Sequence, residues 1–349
     1  MIEGKINLYS DTQTRPSPAM LETMMTAQVG DEQHGLDPTV NELCERVADL
    51  LGQEAALFLP SGTMCNEIAI LVHCRPGDEI YAHSSAHIIT SEAGGPAALS
   101  GASVWPLDGE RGIYSGETLQ AAIRGGSRYE PRPRLVEVEQ TANFGGGAVW
   151  SLAEIQDVVN VARANDLGLH MDGARLFNAV VASDASAKEM AGQFDSVWID
   201  LTKGLGCAVG AVLAGSQEFV DEAWRWKQRI GGALRQAGYL AAAGLYALEH
   251  NIDRLAEDHA NANRFAEIVG QHPGVKLPSG AIDTNIVFVD MSETGVSATK
   301  VRDRLEKQGI NVGAMGDSLI RAVTHMDVNP EQVIEAANAF VSAIHDKSP

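Results

Sequence analysis

The sequence has few cysteines and few basic residues, and each shortage excludes a class of protein. Its four cysteines, Cys44, Cys65, Cys74 and Cys207, form no C-x-x-C pair, so we expect neither a metal site nor a disulfide framework. Only 26 lysines and arginines stand against 46 aspartates and glutamates. The resulting net charge of -20 would repel nucleic acid and anionic membrane surfaces, so neither is predicted as a partner.

Long apolar runs are also missing. No stretch approaches the roughly 20 apolar residues that a membrane-spanning helix needs. The segment after Met1, IEGKINLYSD, has no apolar core of a signal peptide. Together with the unpaired cysteines, these features predict a cytoplasmic protein. The apolar residues, 45% of a 349-residue chain, are enough for a large core, and this length favours two domains.

Short apolar runs alternate with helical stretches along the first two thirds of the chain. The runs are AALFLP at 55–60, DEIYA at 78–82, RLVEV at 134–138, LGLHMD at 167–172, SVWIDL at 196–201 and GAVLAG at 210–215. One helix is predicted to begin after Ser151, because Glu154 completes a capping box. The alternation predicts an α/β fold with an open, mostly parallel central sheet, and ligands of such sheets bind at the carboxyl ends of the strands.

The pattern changes in the last third of the sequence. A long helical section at about 217–270 leads to two apolar runs, TNIVFVD and LIRAVTH, with a helix near SATKVRDRLEKQG between them and a last helix from Pro330. We predict a large domain at 1–250, which includes the N-terminal segment, and a small C-terminal α+β domain at 251–349.

Polar residues follow several of the predicted strands. Asp172 ends the run LGLHMD, and Lys203 follows SVWIDL, so both should lie at the carboxyl edge of the sheet. The first run leads into a turn that opens a helix and offers N–H groups to a phosphate, formed by Ser61, Gly62 and Thr63.

This order of residues matches the needs of pyridoxal phosphate. A lysine in an apolar site forms a Schiff base with an aldehyde, and a carboxylate keeps a pyridine nitrogen protonated. Lys203 and Asp172 would take these roles, His87 would cover one face of the ring, and the glycines after Lys203 would let the backbone turn and approach closely. Each residue alone has an ordinary alternative, such as a helix cap, a structural histidine or a solvated lysine. The inference therefore depends on their order along one sheet.

The chain resembles the low-specificity threonine aldolases over nearly its full length. These are pyridoxal-phosphate enzymes with the fold type I of PLP-dependent transferases, the aspartate-aminotransferase type. The matching stretches are SDTQTRPSPAM, DPTVNELCERVADLLGQEAALFLPSGT, HMDGARLFNAVVA, TKGLGCAVGAVLAG, GGALRQAGYLAAAGLYAL and RAVTHMD. The resemblance implies a homotetramer, a dimer of dimers, with active sites shared between neighbouring chains.

The resemblance also implies roles for individual residues. Lys203 would bind the cofactor aldehyde, Asp172 would face the pyridine nitrogen, His87 would stack on the ring, and Gly62 and Thr63 would bind the phosphate. Arg235, in GGALRQ, would reach the phosphate of a neighbouring chain. The positions used around the substrate carboxylate and the cofactor correspond to Ser10, Arg175 and Arg321.

The sequence departs from the family pattern in two places. Ala142 stands in EQTA where the family has the histidine of an E-N-T-H stretch, and a methyl group cannot relay a proton. His34 and Leu36 stand where the family usually has a tyrosine and an acid. Either His34, through a water molecule, or His87 takes over contact with the substrate hydroxyl, or the pocket is only reshaped for another side chain. Leu36 and Ala142 together favour a more apolar or roomier pocket.

Three functions fit these features. The first is an aldolase that cleaves L-β-hydroxy-α-amino acids, such as threonine, allo-threonine or bulkier analogues, to glycine and an aldehyde. The second keeps the cofactor but breaks another bond, as a β-eliminating lyase, a dehydratase or a racemase. The third is a non-enzymatic protein that has kept the scaffold, which the retention of Lys203 and Asp172 disfavours.

Overall fold

The computed structural model describes residues 6–345, which contain twelve strands and thirteen α-helices. The strands are β1 (Ile6–Asn7), β2 (Ala55–Leu59), β3 (Asp78–His83), β4 (Ser103–Leu107), β5 (Arg132–Glu139), β6 (Gly168–Gly173), β7 (Ser196–Asp200), β8 (Ala211–Gly215), β9 (Ile286–Asp290), β10 (Ile310–Asn311), β11 (Gly313–Met315) and β12 (Leu319–Val323). The helices are α1 (Pro18–Met25), α2 (Pro38–Leu51), α3 (Gly62–His73), α4 (His87–Thr90), α5 (Gly116–Ala122), α6 (Leu152–Ala164), α7 (Leu176–Ala182), α8 (Ala187–Ala191), α9 (Gln217–Arg229), α10 (Gly238–His250), α11 (Leu255–Val269), α12 (Ala298–Lys307) and α13 (Pro330–His345).

A seven-stranded sheet forms the centre of the fold, in the order β2-β8-β7-β6-β5-β3-β4. The pairs from β7 to β4 are parallel, whereas β8 runs antiparallel to both of its neighbours. Helices pack on both faces of this sheet, and its central strands β6, β7 and β8 are almost entirely buried. The predicted α/β fold with a mostly parallel sheet is therefore confirmed.

All six strands predicted from apolar runs are present, but the sequence analysis missed β4. This strand lies at the edge of the sheet, and four of its five residues are partly or fully exposed. It also contains Pro106, which a central strand does not tolerate because proline cannot donate to the ladder. An edge strand of this kind has no continuous apolar run to reveal it.

The helix predicted after Ser151 forms as α6. Ser151 accepts a hydrogen bond from the backbone N–H of Glu154, whose side chain bonds back to the backbone of Ser151. This capping box satisfies two N–H groups that the first turn of a helix leaves without partners. The local sequence thus defines where this helix begins.

A smaller antiparallel sheet, β11-β12-β9, packs against α11, α12 and α13 around a second apolar core. Ile6 and Leu8 belong to this core, and β1 pairs in parallel with β10. The division at residue 250 stays a proposal. The pairing shows, however, that the N-terminal strand packs with the C-terminal unit and brings the residues after it to the interface between the two sheets.

No helix within residues 6–345 is long and apolar enough to cross a membrane.

Candidate active site

A cavity of about 400 Å³ opens at the carboxyl edge of the large sheet and is closed on its other side by the β11–β12 hairpin. The edge collects polar groups because β5, β6 and β7 pair in parallel and end at the same level, with Glu139 opposite Asp172. Six of the residues singled out in the sequence line this cavity: Ser10, His87, Asp172, Arg175, Lys203 and Arg321. Residues from positions 10 to 321 thus meet in one place.

Lys203 lies in the loop between β7 and β8. Its Nζ is 2.7 Å from Oδ2 of Asp200 and 5.6 Å from the centroid of the Trp198 ring. The backbone carbonyl of Lys203 accepts a hydrogen bond of 2.9 Å from Oγ1 of Thr14, which ties this loop to the N-terminal segment. The sequence suggests an apolar setting for Lys203, whereas in the structure its ammonium group is paired with the carboxylate of Asp200.

The glycines after Lys203 fit closely against the C-terminal part of the chain. A Cβ on Gly204 would lie 2.6 Å from Cδ2 of Leu255, and one on Gly206 would lie 2.4 Å from Sδ of Met326. Gly206 also has a φ of +79°, which L side chains rarely adopt. The glycines after Lys203 predict a turn and a close approach here, and the close approach is to Leu255 and Met326.

Asp172 is the second-last residue of β6 and is 1% exposed. Its carboxylate accepts hydrogen bonds from Nδ2 of Asn66 at 2.9 Å and from the backbone N–H of Ala174 at 3.0 Å. Burial raises the pKa of Asp172, and the charges of His87 and Lys203 oppose this rise. Both hydrogen-bond donors are neutral, so a cationic group in the cavity would complete the surroundings of this carboxylate.

His87 begins α4 and faces the cavity. Its Nδ1 is 2.8 Å from Oε1 of Glu92, and its backbone N–H donates to Oε2 of Glu139 at 2.8 Å. Burial alone would lower the pKa of His87, but the hydrogen bond with Glu92 and the charges of Asp172, Glu92 and Glu139 raise it above the usual value. The imidazole therefore holds a proton near neutral pH more strongly than an isolated histidine does.

Arg175 is already paired. Its Nε and Nη2 donate to the two carboxylate oxygens of Asp11, each at 2.7 Å, and both side chains are buried. Burial alone would raise the pKa of Asp11, but Arg175 holds it well below the usual range. Such a two-point pair uses the planar fork of the guanidinium, so Arg175 binds the N-terminal segment of its own chain.

Arg321 is the free cation of the cavity among the described residues. It lies on β12 opposite Gly313 of β11, and its Nε is buried without a hydrogen-bond partner in residues 6–345. Burial and the neighbouring charge of Arg175 lower the pKa of Arg321. A partly buried guanidinium whose Nε lacks a partner among the described residues favours an anion, and its planar fork suits a carboxylate.

Ser61, Gly62 and Thr63 open α3 as predicted, and Oγ of Ser61 accepts from the backbone N–H of Met64. None of the three lines the cavity in the single chain. A Cβ on Gly62 would lie 2.2 Å from the ring of Trp198, so the glycine is needed for this packing. β2 and β7 both pair antiparallel with β8, which lies between them, so β2 and β7 run in the same direction. The turn after β2 therefore lies at the same edge of the sheet as Lys203.

His34 and Arg235 lie elsewhere on the surface, where both approach Asp31. Arg235 Nη1 is 2.9 Å from Oδ2 of Asp31, and Nε2 of His34 is 3.8 Å from the same oxygen. The side chain of Arg235 is 57% exposed, and that of His34 is 70% exposed. Leu36 is 68% exposed in the same segment. Within one chain, none of these residues lines the cavity.

Ala142 is buried but does not line the cavity. Its Cβ packs where Gly112 and Gly145 leave room, since a Cβ on either glycine would come within 3.1 Å of it. The preceding Thr141 has a φ of +63°, which is strained for a β-branched residue. Asn143 and Phe144 face the cavity instead. The expectation of a roomier pocket from Leu36 and Ala142 gains no support from the lining of this chain.

The sequence analysis missed the residues that hold the predicted ones in place: Asp11, Asn66, Glu92, Glu139 and Asp200. Most are distant in sequence from their partners, so no local pattern marks them. The acids themselves were one signal in the sequence, because an aspartate or glutamate inside an apolar stretch needs a hydrogen-bond or ion-pair partner when it is buried. No group of three or more His, Cys, Asp or Glu side chains in residues 6–345 is arranged to hold a metal ion.

The chain is similar to known proteins over most of its length. The family model described as beta-eliminating lyase matches residues 7–294. The chain belongs to the beta-eliminating lyase family. Among its relatives, low specificity L-threonine aldolase of Escherichia coli O157:H7 is 41% identical over 333 residues, which cover 95% of this chain and 97% of that protein. Low-specificity L-threonine aldolase 1 of Arabidopsis thaliana is 38% identical over 349 residues, covering 99% and 98%.

A solved structure has the same fold as this chain. Leishmania major threonine aldolase superimposes with a TM-score of 0.83 at 20% identity, covering 97% of this chain and 99% of that one. The resemblance stated from the sequence motifs is therefore confirmed at the level of family and fold.

The buried pair of Asp11 and Arg175 should stabilise the fold in a pH-dependent way. We expect Asp11→Asn to lower the free energy of unfolding at pH 7 by about 3 kcal/mol or more, because it leaves a buried guanidinium unpaired. The contribution of an aspartate with a lowered pKa is full above about pH 4 and is lost at lower pH. The difference between wild type and variant should therefore shrink as the pH falls from 5 towards 2, which urea unfolding would measure.

Asp303→Asn is a suitable control, because Asp303 pairs with Arg302 on the surface. This exposed pair should contribute less than about 1 kcal/mol. Equal stability of wild type and Asp11→Asn at pH 7 would contradict the assigned role of the buried pair.

Proposed function

We propose that this protein is a pyridoxal-phosphate-dependent aldolase that cleaves L-β-hydroxy-α-amino acids to glycine and an aldehyde. The observation that carries the proposal is the arrangement of one cavity. An amine, a buried carboxylate with only neutral hydrogen-bond donors and a guanidinium without an anion meet there, contributed by Lys203, Asp172 and Arg321. The names of its relatives support the same activity.

The residues present fit the cofactor. Lys203 would bind its aldehyde, Asp172 would face its ring nitrogen, and His87 would cover the ring. The start of α3, with Ser61, Gly62 and Thr63, would hold its phosphate, because free N–H groups at a helix N-terminus favour anions. When bound, the cofactor supplies an electron-withdrawing ring that accepts the electron pair of the breaking Cα–Cβ bond.

Arg321 would orient the substrate by its carboxylate. Its Nε has no partner among the described residues, whereas the fork of Arg175 is occupied by Asp11. Arg175 would then stabilise the site through Asp11 and leave carboxylate binding to Arg321. Ser10 is buried at the same cavity, next to Asp11, and would contribute a hydroxyl.

The proton of the substrate hydroxyl needs an acceptor, and His87 is the histidine that lines the cavity. In its neutral form it would take the proton as the carbon–carbon bond breaks. His34 is exposed and apart from the cavity of its own chain, so it could act only at the site of a neighbouring chain. This geometry favours His87 over His34 as the group that compensates for Ala142.

The first test is a product analysis. The protein, loaded with pyridoxal phosphate, is incubated with L-threonine, L-allo-threonine and L-threo-phenylserine, and glycine, aldehyde, keto acid and ammonia are quantified. We expect glycine and aldehyde in equal amounts, and no product from the matched Lys203→Ala variant. Keto acid with ammonia and no glycine would show the β-eliminating alternative instead, while no turnover and no spectral change with any amino acid would favour a non-enzymatic protein.

The role of Arg321 predicts a specific kinetic change. Arg321→Gln should raise KM for the amino acid by about 10- to 100-fold, because a charge-assisted hydrogen bond to the carboxylate is lost. Steady-state kinetics with the preferred substrate would measure this. Arg163→Gln, a change at an exposed arginine that pairs with Asp195, should leave KM unchanged. A normal KM in Arg321→Gln would mean that another residue binds the carboxylate.

We further propose that the active form is a homotetramer, a dimer of dimers, in which chains share their sites. Two exposed residues, Arg235 and His34, support this proposal. Both are predicted to act at an active site, yet neither lines the cavity of its own chain. Leu36 lies beside His34, and the backbone N–H of Glu32 bonds to the carbonyl of Arg235, so the two segments form one surface. A neighbouring chain would bring this surface to a second cavity.

Shared sites can be tested with mixed oligomers. Lys203→Ala chains keep Arg235, and Arg235→Ala chains keep Lys203, so a mixture reassembled from both should regain complete sites and tighter binding of the cofactor. Mixing Arg235→Ala with the double variant Lys203→Ala/Arg235→Ala is the matched control and should give no recovery. If both mixtures behave alike, Arg235 does not serve a neighbouring chain.

The domain boundary at residue 250 and the cytoplasmic location also stay proposals, the latter supported by four free cysteines.

A further inference from the structure

A buried acid lies behind the proposed active site and has no role in it so far. Glu67 is on α3, one residue after Asn66, and is 4% exposed. Neither of its carboxylate oxygens has a hydrogen-bond partner among residues 6–345. It packs against Gly95, where a Cβ would lie 1.7 Å from its Oε1, so the glycine leaves room for this carboxyl group.

Glu92 lies in the same loop as Gly95 and is equally buried. Its Oε1 accepts hydrogen bonds from Asn66 Nδ2 and from His87 Nδ1, both at 2.8 Å, whereas its Oε2 has no partner among the described residues. Three buried acceptor oxygens therefore lack a donor, two on Glu67 and one on Glu92. Glu67 and Glu92 are close enough for a side-chain hydrogen bond. A single shared proton would satisfy two of the three oxygens, whereas two ionised carboxylates in contact would repel each other strongly.

We propose that Glu67 is a protonated carboxylic acid that donates a hydrogen bond to Glu92 and, through Glu92, sets how strongly His87 holds its proton. Glu67 is thus a positioning residue, since it acts on His87 through Glu92. Burial and the neighbouring Glu92 raise the pKa of Glu67 to about 8, which agrees with a proton on this group at neutral pH.

The direction of the effect follows from the charges. Below about pH 8 the two glutamates share one negative charge, which lies beside His87, since Nδ1 of His87 is 2.8 Å from Oε1 of Glu92. Above this pH Glu67 ionises, and the second negative charge strengthens the hold of His87 on its proton. The other ionisable groups that face this cluster are Asp172 and His170 on β6, Glu137 and Glu139 on β5, Cys65 on α3 and Lys203 after β7.

The proton on Glu67 is tested without the cofactor. Infrared difference spectra of the apo protein are recorded from pH 6 to 10, with ¹³C-labelled glutamate to separate glutamate bands from aspartate bands. We expect a band of a protonated glutamate carboxyl group that disappears as the pH rises through about 8 and is absent in Glu67→Gln. Wild-type spectra alone reveal the band, so the test does not require the variant to fold.

Glu137→Gln is the matched control, because Glu137 is also a buried glutamate without a partner among the described residues. Burial raises the pKa of Glu137 well above its usual value, and the titrating band of Glu67 should remain when Glu137 is replaced. Absence of any glutamate band that titrates in wild type would overturn the proposal.

The link to His87 needs a second readout. In ¹⁵N-histidine spectra of the apo protein, with the signal assigned by its absence in His87→Gln, a smaller fraction of His87 should stay protonated above about pH 8 in Glu67→Gln than in wild type, because only the wild-type residue ionises there. Glutamine can still donate to Glu92 but cannot ionise. Identical titration of His87 in both proteins would overturn the link even if Glu67 is protonated.

The effect on turnover rests on the proposed function, in which neutral His87 accepts the hydroxyl proton. The rise of kcat with pH should then move to lower pH in Glu67→Gln and stay in place in Glu137→Gln. If the spectroscopic results hold but kcat does not move, the relay exists and His87 is not the acceptor, so the failure lies in the proposed function.

Discussion

The parallel pairing of β5, β6 and β7 is the constraint on which the rest of the site depends. Because these strands end at one level, the acids at or near their ends, Glu139, Asp172 and Asp200, are brought to one edge, and all three are buried. Such a concentration of acids is stable only with cations and donors close by. Lys203, His87 and Asn66 supply them, and each lies within hydrogen-bond distance of an acid.

Buried charged and polar groups also join the large sheet to the small C-terminal unit. The N-terminal strand β1 pairs with β10 of the small unit, and the residues that follow it run back to the large sheet. Asp11 binds Arg175 there and also accepts from Asn285, while Thr14 bonds to the backbone at Lys203. The segment at 10–14 thus connects the loop that carries Lys203 to the small unit, and a relative shift of the units would expose a buried charge.

The arginines show how chemistry is divided within one cavity. Arg175 and Arg321 are both cationic and close enough for their charges to interact, yet one has a carboxylate partner and the other has none among the described residues. The paired arginine contributes to structure, and the unpaired one is available to a ligand. The β11–β12 hairpin, in which Gly316 has a positive φ, places Arg321 opposite Gly313, and both residues line the cavity.

The sequence by itself determined the fold class and six of the seven strands of the main sheet, because apolar periodicity is a local feature. Polar residues at strand ends also predicted His87, Asp172 and Lys203, which the structure brings to one cavity. It did not reveal β4, whose exposed edge position lacks a continuous apolar run, or the partners Asp11, Asn66, Glu67 and Glu92. Only the tertiary structure decided that Arg175 is occupied, that Ala142 does not face the cavity and that His34 and Arg235 lie on another surface. Contacts such as Arg175 with Asp11 join positions 164 residues apart, and their pairing depends on the register of the strands, which no short stretch of sequence encodes.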